Sequence, residues 1–158
     1  LVVSLAYINI ARLYNASTAA RNVQQNNRFA MEQMSRVARV SRSATLSDAN
    51  STGGLTALCF DSRTLFYIDS GALRQAPVTD CNQRPTSNYQ TLTSPGISVE
   101  RLEASTAGDT ITMRLWMASR VDLLNTASDN GLQCKSGSGS EFCAINKLIT
   151  TVELRGGQ

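Results

Sequence analysis

From Leu1 to about Leu46 the chain contains neither Pro nor Gly, and its apolar positions follow a helical period. Ala16, Ala19, Ala20, Val23, Ala30, Met34, Val37 and Ala44 recur at spacings of three, four and seven, which gathers them on one stripe of an α-helix. Arg21, Arg28, Arg39 and Arg42 fall on the opposite side, and Glu32 lies four residues from both Arg28 and Arg36, the spacing at which helical side chains meet. One helix over residues 1–46 would span about 70 Å, more than a compact domain of this size can cover. Part of it is therefore expected to protrude.

The front of this helix has a different pattern. Leu1 to Ala11 (LVVSLAYINIA) carries no charge, and its apolar residues, Leu1, Val2, Val3, Leu5, Ile8 and Ile10, with Leu13 and Tyr14 just beyond, lie around the helix rather than on a stripe. That is the pattern of a segment covered on every side. Eleven residues are too few to cross a bilayer, which takes about 20. Because the chain opens at Leu1 rather than Met, the segment reads as the back end of a longer apolar helix whose front end is missing.

After Leu46 the period stops at Ser47 to Gly54 (SDANSTGG), a cluster of turn formers. Leu55 to Phe60 and Thr64 to Ile68 are short strand-favouring runs, and Asp69-Ser70-Gly71 leads into a hairpin return at Ala72 to Gln75. Ala76 to Pro95 holds all three prolines and reads as loop, with at most a short strand near Tyr89 to Thr93. Two alternating runs follow. In the first, Ile97, Val99, Arg101 and Glu103 share a face; in the second, Ile111, Met113, Leu115 and Met117 do, and this apolar face should lie on the helix. Ala107-Gly108-Asp109 supplies the turn between them. Val121 to Glu141 reads as a long loop, and Ile145 to Leu154 as the last strand.

A long helix followed by strands without intervening helices excludes a parallel α/β arrangement, which needs helical crossovers. The expected fold is α+β, with an antiparallel sheet (residues 47–158) wrapped on the second half of the helix (residues 1–46). At 158 residues, 42% hydrophobic and 17% charged, the chain can build one domain with a core. The net charge of +3 is uneven: residues 1–47 carry six Arg and one Glu, a local +5, against −2 for the remainder.

Cys59, Cys81, Cys134 and Cys143 form no CxxC pair, and the chain has no His, so a metal site is disfavoured and disulfides are expected, in an oxidising compartment. Four cysteines allow three pairings. The short Gly/Ser loop favours Cys134–Cys143, leaving Cys59–Cys81 by elimination.

Four pieces, Val23 to Ala44 (VQQNNRFAMEQMSRVARVSRSA), Thr64 to Gln75 (TLFYIDSGALRQ), Ile97 to Ser105 (ISVERLEAS) and Ile149 to Gly156 (ITTVELRG), in this order resemble the minor pilins of type IV pili and the minor pseudopilins of type II secretion, particularly those like pseudopilin J. The resemblance implies a pilin-like fold, with the apolar half of the helix anchoring the protein in the inner membrane and later packing among other pilin-like subunits in a filament. It also implies a globular domain outside the cytoplasm, in the periplasm and then on the extracellular filament. The stapled Cys134 to Cys143 loop is similar to the C-terminal region of many pilins. The family's peptidase site, with its following aromatic residue and glutamate, has no counterpart in these residues.

Catalysis finds little support. Without His no Ser-His or Cys-His pair can form, and Glu100 and Glu103 point to opposite faces of a strand. No Gly-rich loop opens a helix to hold phosphate, and no cofactor is implied. Asp122, Asn125, Asp129, Asn130 and Gly131 offer oxygen ligands at a spacing unlike an EF-hand, so ordinary turn chemistry is expected in place of the calcium site that some pseudopilins carry there. Phe29 points away from the apolar stripe and is a candidate contact with another subunit. The stripe Arg21, Arg28, Arg36, Arg39 and Arg42 is disfavoured as a nucleic-acid surface, because no aromatic residues interleave with it and Glu32 lies among the arginines. The expected function is a non-enzymatic subunit of a pilus-like or secretion filament or its initiating tip complex. The alternative is a membrane-tethered binding or adhesion module, DNA uptake included, using the Ala76 to Pro95 and Val121 to Glu141 loops.

Overall fold

The computed structural model describes residues 2–47, 57–119, 123–124, 133–134 and 142–155. Helix α1 (Val2–Val40) is followed by strands β1 (Ala44–Ser47), β2 (Ala57–Phe60), β3 (Thr64–Asp69), β4 (Ala72–Pro77), β5 (Gln90–Thr91), β6 (Ile97–Ala107), β7 (Thr110–Ser119), β8 (Leu123–Leu124), β9 (Gln133–Cys134) and β10 (Ile145–Glu153). The fold is α+β, one long N-terminal helix packed on antiparallel sheets. The strands make two main sheets rather than one. The first has the order β1-β2-β3-β4-β5, the second β10-β7-β6, and β8 and β9 form a separate pair.

The helix stops six residues before the point the periodicity suggests. Ala44 fits the helical stripe, but it sits in β1, paired with Phe60 of β2. The cause is a side chain distant in sequence. Asp61 Oδ1 accepts the amides of Arg42 and Ser43, both at 2.8 Å, while the Asp61 amide donates to Ser43 O at 3.1 Å. Ser41 donates twice into the last turn, its Oγ to Val37 O at 2.7 Å and its amide to Ala38 O at 3.1 Å, so these two terminal carbonyls are partnered as the chain turns. No residue of the helix itself announces this end.

Strand β6 departs from simple alternation. A bulge between Val99 and Arg101 leaves Glu100 opposite no residue of β7 and shifts the register. Val99 and Leu102 are thereby both buried, whereas Arg101 is exposed and Glu103 half-buried, which corrects the expectation that Ile97, Val99, Arg101 and Glu103 share one face. The partner strand alternates cleanly: Ile111, Met113, Leu115 and Met117 are fully buried. At Ser94-Pro95-Gly96-Ile97 the chain turns into β6, with Ile97 N donating to Ser94 O at 3.2 Å and Gly96 at φ +85°, a conformation that suits glycine.

The core lies where α1 meets both sheets. Val23, Ala30, Met31, Met34 and Ala38 of the helix pack with Leu58, Phe60, Phe66, Ile68 and Leu73 of the first sheet and Leu102, Ile111, Met113, Leu115, Met117 and Val152 of the second. Alternate residues of β2 and β3 (Ala57, Cys59, Leu65, Tyr67) face the other way into a second cluster with Ala76. This is why both strands read as short continuous apolar runs: they are covered on both faces. The cover over the second cluster is the loop after β4, tied down by the Cys59–Cys81 disulfide and by Tyr67 Oη donating to Pro85 O at 3.1 Å. The second disulfide is Cys134–Cys143.

Candidate assembly surface

Two halves of α1 have opposite environments. Full burial begins at Val23, after half-buried Asn15, Ala16 and Ala19, and residues 6–14 are all exposed. Tyr7 is 74% exposed, Ile10 66%, Leu13 71% and Tyr14 70%, with Ile8 at 45%. The side chains of Val2, Val3 and Leu5 and the whole of Leu1 lie outside the described residues. The 39-residue helix is about 58 Å long, and the part ahead of Val23 accounts for about 30 Å of it. Among the described residues no helix is long and apolar enough to cross a membrane.

The helix is seated by polar contacts where it enters the domain. Asn27, fully buried, sits over the β7–β10 ladder; its Nδ2 faces Asn146 Oδ1 at 2.8 Å, Asn146 O at 3.0 Å and Leu115 O at 3.3 Å. One turn face away, Asn26 Oδ1 accepts the Ser94 amide at 2.9 Å. The helix is thus fastened to the three-stranded sheet and to the loop entering β6 within a single turn. Periodicity cannot reveal this, since a lone Asn in an apolar stripe looks like an interruption. The same reading omitted Met31 and Ala38, which belong to the stripe.

Phe29 is 46% exposed and lines a shallow recess of about 300 Å³ with Gln25, Asn26 and the Thr91–Ser94 loop. It is therefore half-covered by its own domain and is not continuous with the apolar front. Glu32 pairs with Arg36 at 3.5 Å and not with Arg28, in keeping with the better geometry of a glutamate placed four residues before its cation. Arg12, Arg21, Arg28 and Arg39 have no carboxylate within ion-pair distance among the described residues.

Comparison with protein-family models, with curated proteins and with solved structures finds no match to this chain.

Glu100 and Glu103 are engaged separately. Glu100 accepts from Ser98 Oγ, while Glu103 pairs with Arg101 and, at 3.8 Å, with Arg114. Above them Trp116 lies between the Arg101 guanidinium, 5.4 Å from the ring centroid, and the Lys147 ammonium at 4.8 Å. Among the described residues no group of three or more acidic or cysteine side chains could hold a metal. Asp122, Asn125, Asp129, Asn130 and Gly131, for which ordinary turn chemistry is expected, lie outside the described residues. Of the two loops named as alternative binding elements, Val121 to Glu141 falls mostly outside them as well. The Ala76 to Pro95 loop borders an open recess of about 330 Å³ between Pro77 and Pro85. Its Tyr89 ring stacks under Arg74 at 4.0 Å.

Two groups depart from their ordinary acidity. Burial pushes the Tyr67 hydroxyl up, and Arg74 offsets part of that. For Asp61, burial acts upward, but the Ser43 and Arg42 amides, the Ser43 hydroxyl and the Arg63 charge outweigh it and hold the carboxyl below its usual value. Asp61 is serving as a backbone acceptor, which needs the ionised form.

Proposed function

We propose that this chain is a non-enzymatic structural subunit of a type IV pilin-like machine, a minor pilin or pseudopilin, joining a filament or its initiating tip complex through the front half of α1. The observation that carries this reading is the row of large apolar side chains, Tyr7, Ile10, Leu13 and Tyr14, standing about two-thirds or more exposed on a rigid helix beyond its domain. Fully burying such a side chain contributes about 1.5–3 kcal/mol, so covering the rest of these four offers a gross ~4–8 kcal/mol, of the same order as the entropic cost of association, so that losing it tips the balance against assembly. The helix would pass from an inner-membrane environment to packing among neighbouring helices. The two disulfides fit a domain held in an oxidising, extracytoplasmic compartment. In this arrangement the sheets and their loops face outward.

The test replaces Tyr7, Ile10, Leu13 and Tyr14 together with Gln and co-expresses the chain with sets of pilin-like subunits. Wild type should co-purify with a subset and the variant should not, while both unfold at the same temperature, since none of the four touches the core. Equal capture of both chains, or capture of no pilin-like subunit by wild type, refutes the reading.

A further inference from the structure

The apolar front of α1 and its unpaired cations lie on one seam. Tyr7, Tyr14, Arg21 and Arg28 follow at seven-residue intervals, and because a straight helix drifts about 20° per heptad the four stay within about 60° of arc. All four are exposed. The seam lies at least about a quarter turn from Val23, Asn27, Ala30 and Met34, which face the domain, so the domain's own sheets do not cover it. The only acid on the helix, Glu32, is taken by Arg36. A partner laid along this seam must cover two rings at one end and neutralise two guanidinium groups at the other.

A second copy of the chain does not meet that demand. With five Arg against one Glu, two such helices repel at every register, and the antiparallel one that sets Tyr7 against Arg28 leaves Arg12 and Arg39 uncompensated. A bilayer that the helix enters end-on does not meet it either. The headgroup layer is about 5–8 Å deep on each side of a bilayer, whereas Arg28 stands about 21 Å along the helix from Tyr14. We propose that the seam receives a helix of a different subunit, apolar over its first two heptads and carrying carboxylates at heptad spacing opposite Arg21 and Arg28. That this helix comes from a fellow subunit rests on the assembly reading above; its acidic character does not.

The test uses the full chain and two synthetic four-heptad helical peptides with Leu at the two core positions, one with Glu and one with Lys at the flanking positions, followed by fluorescence anisotropy. The Glu peptide should bind about tenfold more tightly than the Lys peptide, given two exposed ion pairs made in one case and repelled in the other. The preference should shrink as ionic strength rises past about 0.15 M. R21E/R28E should reverse it, whereas R155E, far from the seam, should keep it. Circular dichroism confirms that the variants fold. Equal binding of the two peptides, binding of neither, an unreversed preference in R21E/R28E, or tighter binding to phosphatidylglycerol vesicles or duplex DNA than to the Glu peptide overturns the proposal. If R21E/R28E still captures the same pilin-like subunits as wild type, the acidic-helix inference fails and the assembly reading stands. If no subunit is captured but the peptide preference reverses as described, the opposite holds.

Discussion

Asn27 offers the sharpest test of how the helix is seated. Its amide nitrogen faces three oxygens within 3.3 Å but carries only two hydrogens, and its own Oδ1 has no partner among the described residues. Asn27→Ala removes about two hydrogen bonds and opens a small void, which together should cost ~2–3 kcal/mol. For a chain of this length that lowers the melting temperature by about 4–12 °C. Asn27→Leu keeps the branched shape, with two bulkier methyls, and discards the orphaned oxygen, so it should cost less than Asn27→Ala. Asn27→Asp is the decisive variant. An ionised carboxylate there has three oxygens facing it and no donor, and should cost about 3–5 kcal/mol at neutral pH. Its folded-state pKa is then raised above the ordinary ~3.9, so the penalty is fully present above the folded value, is relieved as pH falls through it, and has vanished below about pH 3.9, where the acid form donates one hydrogen bond. Urea unfolding of wild type and the three variants across pH measures this. An Asp variant no weaker than Ala at pH 7, or a gap to wild type that does not narrow on acidification, refutes the reasoning.

Other expectations follow from the same contacts. Asp61→Ala should cost ~1 kcal/mol by uncapping the Arg42 and Ser43 amides. Because the folded carboxyl titrates below its unfolded value, that contribution is present above about pH 4 and is lost as pH falls through the folded pKa, so wild type and variant should converge in acid by calorimetry. Cys59→Ala/Cys81→Ala opens a loop whose cysteines lie 22 residues apart and should cost ~3 kcal/mol, more than Cys134→Ala/Cys143→Ala with its separation of 9, since it also loosens the cover over Leu65 and Tyr67. Thermal melts of the two double variants compare them. Gly96→Ala should lose ~1 kcal/mol from backbone strain alone, because a Cβ there meets nothing within 4 Å; a loss much above that in urea unfolding would mean the turn itself has rearranged.

The parts of this fold that are legible in the sequence are those fixed by local period. Helix α1, the hairpin β3–β4, the pair β6–β7 and strand β10 follow from spacing and turn residues, and the short Gly/Ser loop points to the Cys134–Cys143 bridge. What escapes has a cause distant along the chain. The end of α1 is set by Asp61, the face of Leu102 by a bulge whose only local sign is an extra residue, and the division into two sheets by which edges meet, as where Val99 N donates to Gly71 O at 2.7 Å. The candidate surface divides in the same way. Tyr7, Ile8, Ile10, Leu13 and Tyr14 stand out because uncharged residues surround the helix before the stripe narrows. Phe29 looks equally free in projection, and only the Thr91–Ser94 loop shows that it is half-covered. Asn26 and Asn27 carry no distinguishing signal at all, since their partners lie 68 to 119 residues away.

The way the helix is fastened also fixes how the molecule carries load. Ahead of Val23 the rod is a cantilever of about 30 Å, and any sideways force on its tip arrives at the domain as a torque concentrated between Val23 and Asn27. Asn27 on the β7–β10 ladder and Asn26 on the Ser94 amide stand at that fulcrum and bear on different sides of it. A pull along the rod is shared instead as shear over every packed residue from Val23 to Ala38. The protein is therefore stiff to tension along its axis and yields first to bending, with a hinge line one helical turn wide.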